Sequence, residues 1–478
     1  MGSNHVQAYV DGRWIEGSGG PKEYFSAYDG STLGTFTVCD SSDVDRAVEA
    51  AQKAQSDWAA VPLLDKVDLM YRAYDLCAEA NEEIARSISA EMGKTIHESR
   101  EEMLQYGWGH FRRAAEDMLR FRGAVLPNSE TRSNSKRTFV QQYPLGVVGV
   151  ISPFNFPVDI PAIAITYALV AGNTVVWKPS EYCPGSTARY AKIFEDAGFP
   201  PGVFNFVPGL ADAGAAVVDN PAVRGLFFTG STRVGKKIAA AAGGDLKRVL
   251  LELGGNGPII VNEDADLDRA VEATITGCFY MAGQVCTAAE RVLVHENVHD
   301  AFVEKLTARA GRLRVGDPLD EATDMGPLCN DATLGQVTGH VEGAREAGAE
   351  ITQIGQAQGR IYPPTILTGV TPDMAIAREE TFGPVAPIIR FGSVEEAIEI
   401  ANSTEFGLNA AAFTKDLRTA WTYIDGLQSG TVLINESTNY WDQLAPFGGA
   451  KSSGLGRELS SWALQAFTET KTVVIDVS

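Results

Sequence analysis

Three stretches carry residue types that could do covalent chemistry. GQVCTAAER, residues 283–291, holds Cys286; LLELGGNGP, residues 250–258, holds Glu252; ISPFNFP, residues 151–157, holds Asn155. A free thiol with a pKa of about 8.5 is only a few per cent thiolate at neutral pH, so a nucleophilic Cys286 needs help. Gly283 permits a turn that could expose it, although a lone cysteine is more often inert core. Glu252 sits inside an apolar run, directly before Gly254 and Gly255 once Leu253 is passed. A carboxylate there is either paired or functional, and burial would raise its pKa toward general-base work. The Asn155 amide could donate to an oxyanion, with turn chemistry as the rival reading. The six histidines, at 5, 97, 110, 295, 299 and 340, all lie outside these glycine-flanked stretches, which disfavours a Cys–His hydrolase.

Two further stretches could bind phosphate and sugar. In FFTGSTRVGKK, residues 227–237, Gly230 and Ser231 stand between a strand candidate and a helix, a phosphate site at a helix N-terminus. The run also scans as G-x-x-x-x-G-K, but Lys237 stands where a triphosphatase needs Ser or Thr for magnesium. In VVWKPSE, residues 175–181, Lys178 and Glu181 end another strand candidate. A carboxylate at that place can accept from both ribose hydroxyls and would repel a 2′-phosphate, so NAD is favoured over NADP.

Something must position these groups. From residue 138 the apolar runs GVVGVISP, NTVVWKP, VFNFVPG, RGLFFTG and KRVLLELGG alternate with helical stretches, the pattern of a parallel doubly wound sheet. Such sheets bind ligands at the carboxyl ends of their strands. After Gly255 a second alternation begins with GPIIV, RVLVHE, PVAPIIRF and GTVLIN, a second α/β unit. Residues 41–122 carry helical spacing. RTFVQQYP and the tail TETKTVVIDV alternate as ribbons, which usually need a partner chain to cover their edges, so an oligomer is expected.

The chain has 478 residues and a formal net charge of −21, which argues against nucleic acid or anionic membrane as a partner. Cys39, Cys77, Cys183, Cys278, Cys286 and Cys329 form neither a zinc pattern nor a secreted disulfide framework, so reduced thiols, no metal and a cytoplasmic setting are expected. The opening MGSNHVQAYVDGRW lacks a basic stretch followed by an apolar one, and Val6 breaks the acylation motif that Gly2 would start.

Together these stretches resemble the aldehyde dehydrogenase superfamily of the hydrolytic, non-acylating type. The ordered motifs SPFNFP, WKPSE, FTGST, LELGG, GQVCTAAER, EETFGP and PFGGAKSSGLGRE run over essentially the whole chain. The resemblance implies an NAD-binding domain over 1–122 and 143–254, a catalytic domain over 255–460, and a bridging β element over 123–142 and 461–478 that builds a homodimer or homotetramer. It implies Cys286 as nucleophile, Glu252 as general base, and Asn155 with the Cys286 amide as oxyanion hole. Around the cofactor it implies Lys178, Glu181, Gly214, Gly230, Ser231, Val234, Leu253, Glu380 and Phe382. For the substrate funnel it implies Phe156, Ile160, Ile163, Tyr280, Val285, Thr287, Trp441 and Phe447. Arg112 and Arg113 could hold an acidic aldehyde such as a semialdehyde, with a solvated helical face as the alternative.

The implied reaction is oxidation of an aldehyde to the acid with NAD, through a cysteine thiohemiacetal and a thioester. Coenzyme A-acylating relatives typically lack the base at Glu252, so hydrolysis is favoured over acyl transfer to coenzyme A. A cofactor-independent thiol esterase could use the same Cys286 and Glu252, and a protein that kept the fold without catalysis would not need Cys286, Glu252 and Asn155 together. Where the family often has lysine after LELGG, this chain has Asn256–Gly257.

Overall fold

The computed structural model describes residues 5–129 and 134–478. The Gly2 position and residues 130–133 of the expected bridging segment lie outside them. The five apolar runs form one parallel sheet in the spatial order Arg248–Glu252, Val223–Thr229, Val147–Ile151, Thr174–Lys178, Phe204–Phe206. Strands with both faces covered cannot alternate polar with apolar, and Val147–Ile151 and Thr174–Lys178 are buried at every position. The order reverses beside Val147–Ile151, because the fourth strand returns to its other side. The crevice of this sheet therefore opens after Ile151 and Thr229. The edges are closed by antiparallel additions: the hairpin Ala8–Val10 and Arg13–Ile15 beside Phe204–Phe206, and Gly454–Leu455 beside Arg248–Glu252. Neither addition is signalled by the apolar pattern of the sequence.

Helix Asp159–Val170 is buried at every position from Ile160 to Val170, so it is a core helix with no solvent face. Helix Ser41–Ala60 is started by Asp40, whose side chain accepts the Ser42 and Asp43 amides, with Asp43 reaching back to close a capping box. The expected helical run beyond Leu63 is interrupted. Gly93, at φ +94°, ends helix Asn81–Met92, and Thr95 caps Ile96–Glu101. A π-helical turn, Glu102–Gly107, precedes helix Gly109–Arg120.

The second sheet has seven strands. Six are parallel, in the order Thr365–Thr368, Val385–Phe391, Ala289–His295, Gly257–Val261, Asn409–Phe413, Thr431–Ile434, with Glu350–Gln353 antiparallel at one edge. The two alternating ribbons pair with each other: Thr468–Asp476 runs antiparallel to Lys136–Pro144, and Ala124–Leu126 joins the far side of Lys136–Pro144. Between this ribbon and the sheets, helix Ser460–Ala466 buries Ala463 and Leu464 in the core that packs around the first sheet.

Candidate active site

Cys286 lies in the loop between helix Leu267–Phe279 and strand Ala289–His295. Before it the backbone turns left-handed at Met281, Ala282 and Gly283, with φ of 51°, 54° and 73°. Such non-glycine residues cost about 1–3 kcal/mol each and persist only when their surroundings fix them. Here Glu98 Oε1 accepts the Met281 N–H at 2.7 Å, and the Gln284 side chain donates to Met281 O at 3.0 Å while accepting from the Cys329 amide at 2.9 Å. Gly283 has no alternative, since a Cβ there would lie 2.1 Å from the Gly383 carbonyl oxygen. The glycines after Glu252 serve the same loop: a Cβ on Gly255 would come within 2.1 Å of Cys286 O, and one on Gly254 within 2.7 Å of the Glu380 carboxylate.

Asn155 follows the first parallel strand and is buried; its Nδ2 donates to Gln284 O at 3.1 Å, tying the amide to the nucleophile loop. Nδ2 carries two hydrogens, so one remains for an oxyanion. A buried ion cluster holds both loops. Lys94 Nζ meets Glu102 Oε2 at 2.7 Å with both side chains fully buried, and Glu102 Oε1 accepts the Val158 and Asp159 amides at 2.9 and 3.0 Å. The same Lys94 amine sits 4.1 Å from the centre of the Phe156 ring. None of Lys94, Glu98 or Glu102 stood out in the sequence, where EMGKTIHESREE reads as a solvated helical face.

Glu252 ends the fifth strand, is 3% exposed, and neither carboxylate oxygen has a hydrogen-bond partner. Burial first, and then the charge of Glu458, push its pKa well above the ordinary carboxylate range. The Arg457 guanidinium and the Gly449 amide pull the other way. Burial likewise raises the Cys286 thiol, with Glu252, Glu380 and Glu458 adding to the effect, so the resting nucleophile is a thiol. Glu458, the last residue of PFGGAKSSGLGRE, is itself buried with Oε2 unpartnered; burial and then Asp159 raise its pKa. Nothing in the local sequence places it there, because it reaches the site from the segment after Gly454–Leu455, which pairs on the edge of the first sheet.

Two cavities meet at Cys286 and Thr229. The first is lined by Asn155, Gly230, Ser231, Leu253, Glu380 and Phe382. Glu380 Oε1 accepts the Gly255 amide at 2.9 Å, and its pKa is raised to about 8 by burial and then by Glu290. Phe382 has φ 58°, and Glu290 fixes that turn by accepting the Thr381 and Phe382 amides at 2.9 Å each. Arg291, also buried, binds the Asn256, Ile400 and Ala401 carbonyls. These two clamps are the sequence neighbours of the nucleophile loop.

Beyond Ser231, a further cavity is lined by Lys178, Glu181, Gly214, Val234, Asp219 and Lys237. Lys178 Nζ lies 3.5 Å from Glu181 Oε2, and burial lowers its pKa against the pull of that carboxylate. Helix Thr232–Gly244 opens between the two cavities with no side-chain cap at Ser231, so its first amides are open to a pyrophosphate. An uncapped helix start, a buried amine and a ribose-ready carboxylate along one groove fit a dinucleotide.

The second cavity at Cys286 also carries Glu252 and is walled by Phe156, Ile160, Ile163, Trp441 and Phe447. Phe156 and Trp441 meet edge to face, with ring centres 5.9 Å apart. Other expected funnel residues are placed elsewhere. Val285 and Thr287 flank Cys286 but turn into the core, with Thr287 Oγ1 donating to Asn439 Oδ1 at 2.8 Å. Tyr280 packs behind Trp441, ring centres 6.3 Å apart, with its hydroxyl 3.1 Å from Glu101 Oε2. Arg112 is exposed and bonded to Glu116 at 2.8 Å, and the Arg113 guanidinium lies against Gly109. Neither arginine lines the cavity, because helix Gly109–Arg120 turns His110 rather than its arginines toward Asp159. Asp159, Gln443, Glu458 and Leu459 complete the lining, and nothing in the local sequence marks any of them.

The chain matches the aldehyde dehydrogenase family over residues 14–473. It is 40% identical to retinaldehyde dehydrogenase 3 of Rattus norvegicus over 483 residues, covering 98% of this chain and 93% of the relative. It is 36% identical to glutarate-semialdehyde dehydrogenase of Pseudomonas putida, covering 98% of each. It spans only 53% of the cytosolic 10-formyltetrahydrofolate dehydrogenase of Xenopus tropicalis, to which it is 37% identical over 98% of its own length. A succinate-semialdehyde dehydrogenase structure from Burkholderia pseudomallei superposes with a TM-score of 0.96 at 38% identity, over 99% of this chain and 98% of that one. Solved relatives include both an NADP-dependent enzyme from E. coli and an NAD-dependent aldehyde dehydrogenase from Sinorhizobium meliloti. This chain belongs to the aldehyde dehydrogenase family, NAD(P)-dependent oxidoreductases that convert aldehydes to acids.

Proposed function

We propose that the chain oxidises its aldehyde with NAD through a thioester on Cys286, which is released as the free acid by water that Glu252 deprotonates. The observation that carries this reading is the shared position of Cys286: Asn155 lies in one of its two cavities and Glu252 in the other. Cys286 gives its thiol proton to solvent, its Sγ bonds to the carbonyl carbon, and the Asn155 amide with the Cys286 N–H holds the resulting oxyanion. When bound, the dinucleotide supplies a hydride acceptor, and its cationic ring favours the thiolate over the thiol. Glu252 then takes a proton from water, the hydroxide adds to the acyl carbon, and the carbon–sulfur bond breaks to return the thiol. Glu252 also supports hydrolysis over transfer to coenzyme A.

Preference for NAD rests on Glu181, whose charge opposes a 2′-phosphate, although Lys178 and Lys237 line the same cavity. We read residues 1–122 and 143–254 as the cofactor domain, 255–460 as the catalytic domain, and the paired ribbon as the bridging element of a homodimer or homotetramer. Val125 at 87% and Val474 at 58% exposure support a covering second copy. A cytoplasmic setting is supported by six free cysteines. Among the described residues no helix is long and apolar enough to cross a membrane.

The test is reduced-cofactor formation across an aldehyde panel with NAD and NADP, with the product identified. Free acid and faster turnover with NAD are expected. An acyl-coenzyme A product, or turnover of activated esters alone, would replace this reading.

A further inference from the structure

The substrate cavity has a chemical bias of its own. Its walls are aromatic and aliphatic, and three of its polar side chains offer acceptors. Asp159 is held from behind, with Oδ1 bonded to His110 Nε2 at 2.7 Å. Burial keeps that imidazole toward its neutral form, so it donates one N–H and adds no compensating charge. Gln443 Oε1 is buried with no hydrogen-bond partner, and so is Glu458 Oε2, whose side chain is 5% exposed. The Thr229 hydroxyl, beside Cys286, can serve as either donor or acceptor. Among the described residues, no lysine or arginine lines the cavity.

With the Asp159 carboxylate in the lining and no cationic side chain among the lining residues, a carboxylate-bearing substrate finds no countercharge there. A protonated amine, by contrast, brings positive charge to the Asp159 carboxylate and donors to the unpartnered Gln443 Oε1 and Glu458 Oε2. The Trp441 ring adds a surface that attracts a cation as well as an alkyl chain, whereas Phe156 already carries the Lys94 amine over its ring. The formal net charge of −21 acts in the same sense on the approaching substrate.

We propose that this cavity selects an ω-aminoaldehyde, with Asp159 as the countercharge to its ammonium group. The inference rests on the aldehyde-oxidising role of Cys286 and adds a substrate class to it. The reaction balances as before: aldehyde, water and NAD give the amino acid's carboxylate, two electrons leave as hydride to the cofactor, and the protons go to solvent. The ammonium end is bound and not transformed.

The experiment compares kcat/KM of the NAD-loaded enzyme for γ-aminobutyraldehyde, valeraldehyde as its uncharged counterpart, and succinate semialdehyde as its acidic one. The expected order is amine, then neutral, then acid. Asp159→Asn and, separately, Asp159→Leu should each lower the amine-to-neutral ratio by roughly 10- to 100-fold, the effect of unpairing one charged hydrogen bond. Two variants guard against loss of the His110 contact being mistaken for loss of charge. Succinate semialdehyde turning over as well as the amine, or a ratio unmoved by both variants, would overturn the assignment while leaving aldehyde oxidation in place. No reduced cofactor from any of the three would overturn both.

Discussion

Replacing Glu252 by glutamine separates the two halves of the reaction. Neither oxygen of Glu252 is hydrogen-bonded, and the residue is 3% exposed, so the amide fills the same space and strands no charge. Folding and cofactor binding should therefore survive, and the loss should fall on proton transfer. A positioned general base is worth about 10²- to 10⁴-fold, or roughly 3–5 kcal/mol of barrier at 1.36 kcal/mol per decade. Stopped-flow absorbance should show a first turnover of about one reduced cofactor per Cys286, followed by steady-state turnover slower by that factor. The pH profile adds a sign. Burial and Glu458 raise the Glu252 pKa, so the carboxylate is protonated and idle at low pH, and deacylation should climb as pH rises through that elevated value. Glu252→Gln should lose this limb. Glu458→Gln, which removes the neighbouring charge, should move it to lower pH. Steady-state turnover of Glu252→Gln within about threefold of wild type, or an unchanged acid limb, would refute the base assignment.

Two other perturbations address the supports of the site. Lys94→Met leaves Glu102 buried and unpaired and should cost about 3–5 kcal/mol in denaturant unfolding, whereas Lys94→Met with Glu102→Gln should cost less than the single change. An equal or larger loss in the double variant would mean that the pair does not act as a unit. Glu181→Ser removes the charge facing the cofactor ribose and should shift the ratio of kcat/KM for NADP over NAD upward by about tenfold, the effect of ~1.4 kcal/mol. An unmoved ratio would place cofactor discrimination on other residues.

The first sheet was legible because strands buried on both faces write themselves as unbroken apolar runs, and all five runs pair in one parallel sheet, in an order the sequence did not indicate. The groups at or just past their ends, Asn155, Lys178, Ser231 and Glu252, drew attention as polar residues closing apolar runs, and the roles expected of them came from the family resemblance. What the sequence hid has no local signature. Asp159 and Gln443 line one cavity because the segment leading into helix Asp159–Val170 and the loop after Asn439 come together, where Phe156 meets Trp441 edge to face. Glu458 arrives through the short pairing of Gly454–Leu455 on the sheet edge. Val285 and Thr287 sit beside Cys286 in sequence, yet the backbone that turns the thiol outward turns its neighbours in. Arg112 and Arg113 lie on a helix that approaches the site, but their neighbour His110 takes the inward position on that turn.

In the proposed mechanism Cys286 carries the acyl group. It is tested most directly by mixing the Glu252→Gln enzyme with NAD and aldehyde, quenching in acid, and mapping the peptides by mass. One acyl adduct per chain is expected, on the peptide containing Cys286, appearing with the first reduced cofactor. Reduced cofactor formed with no adduct there, or an adduct on another residue, would contradict it.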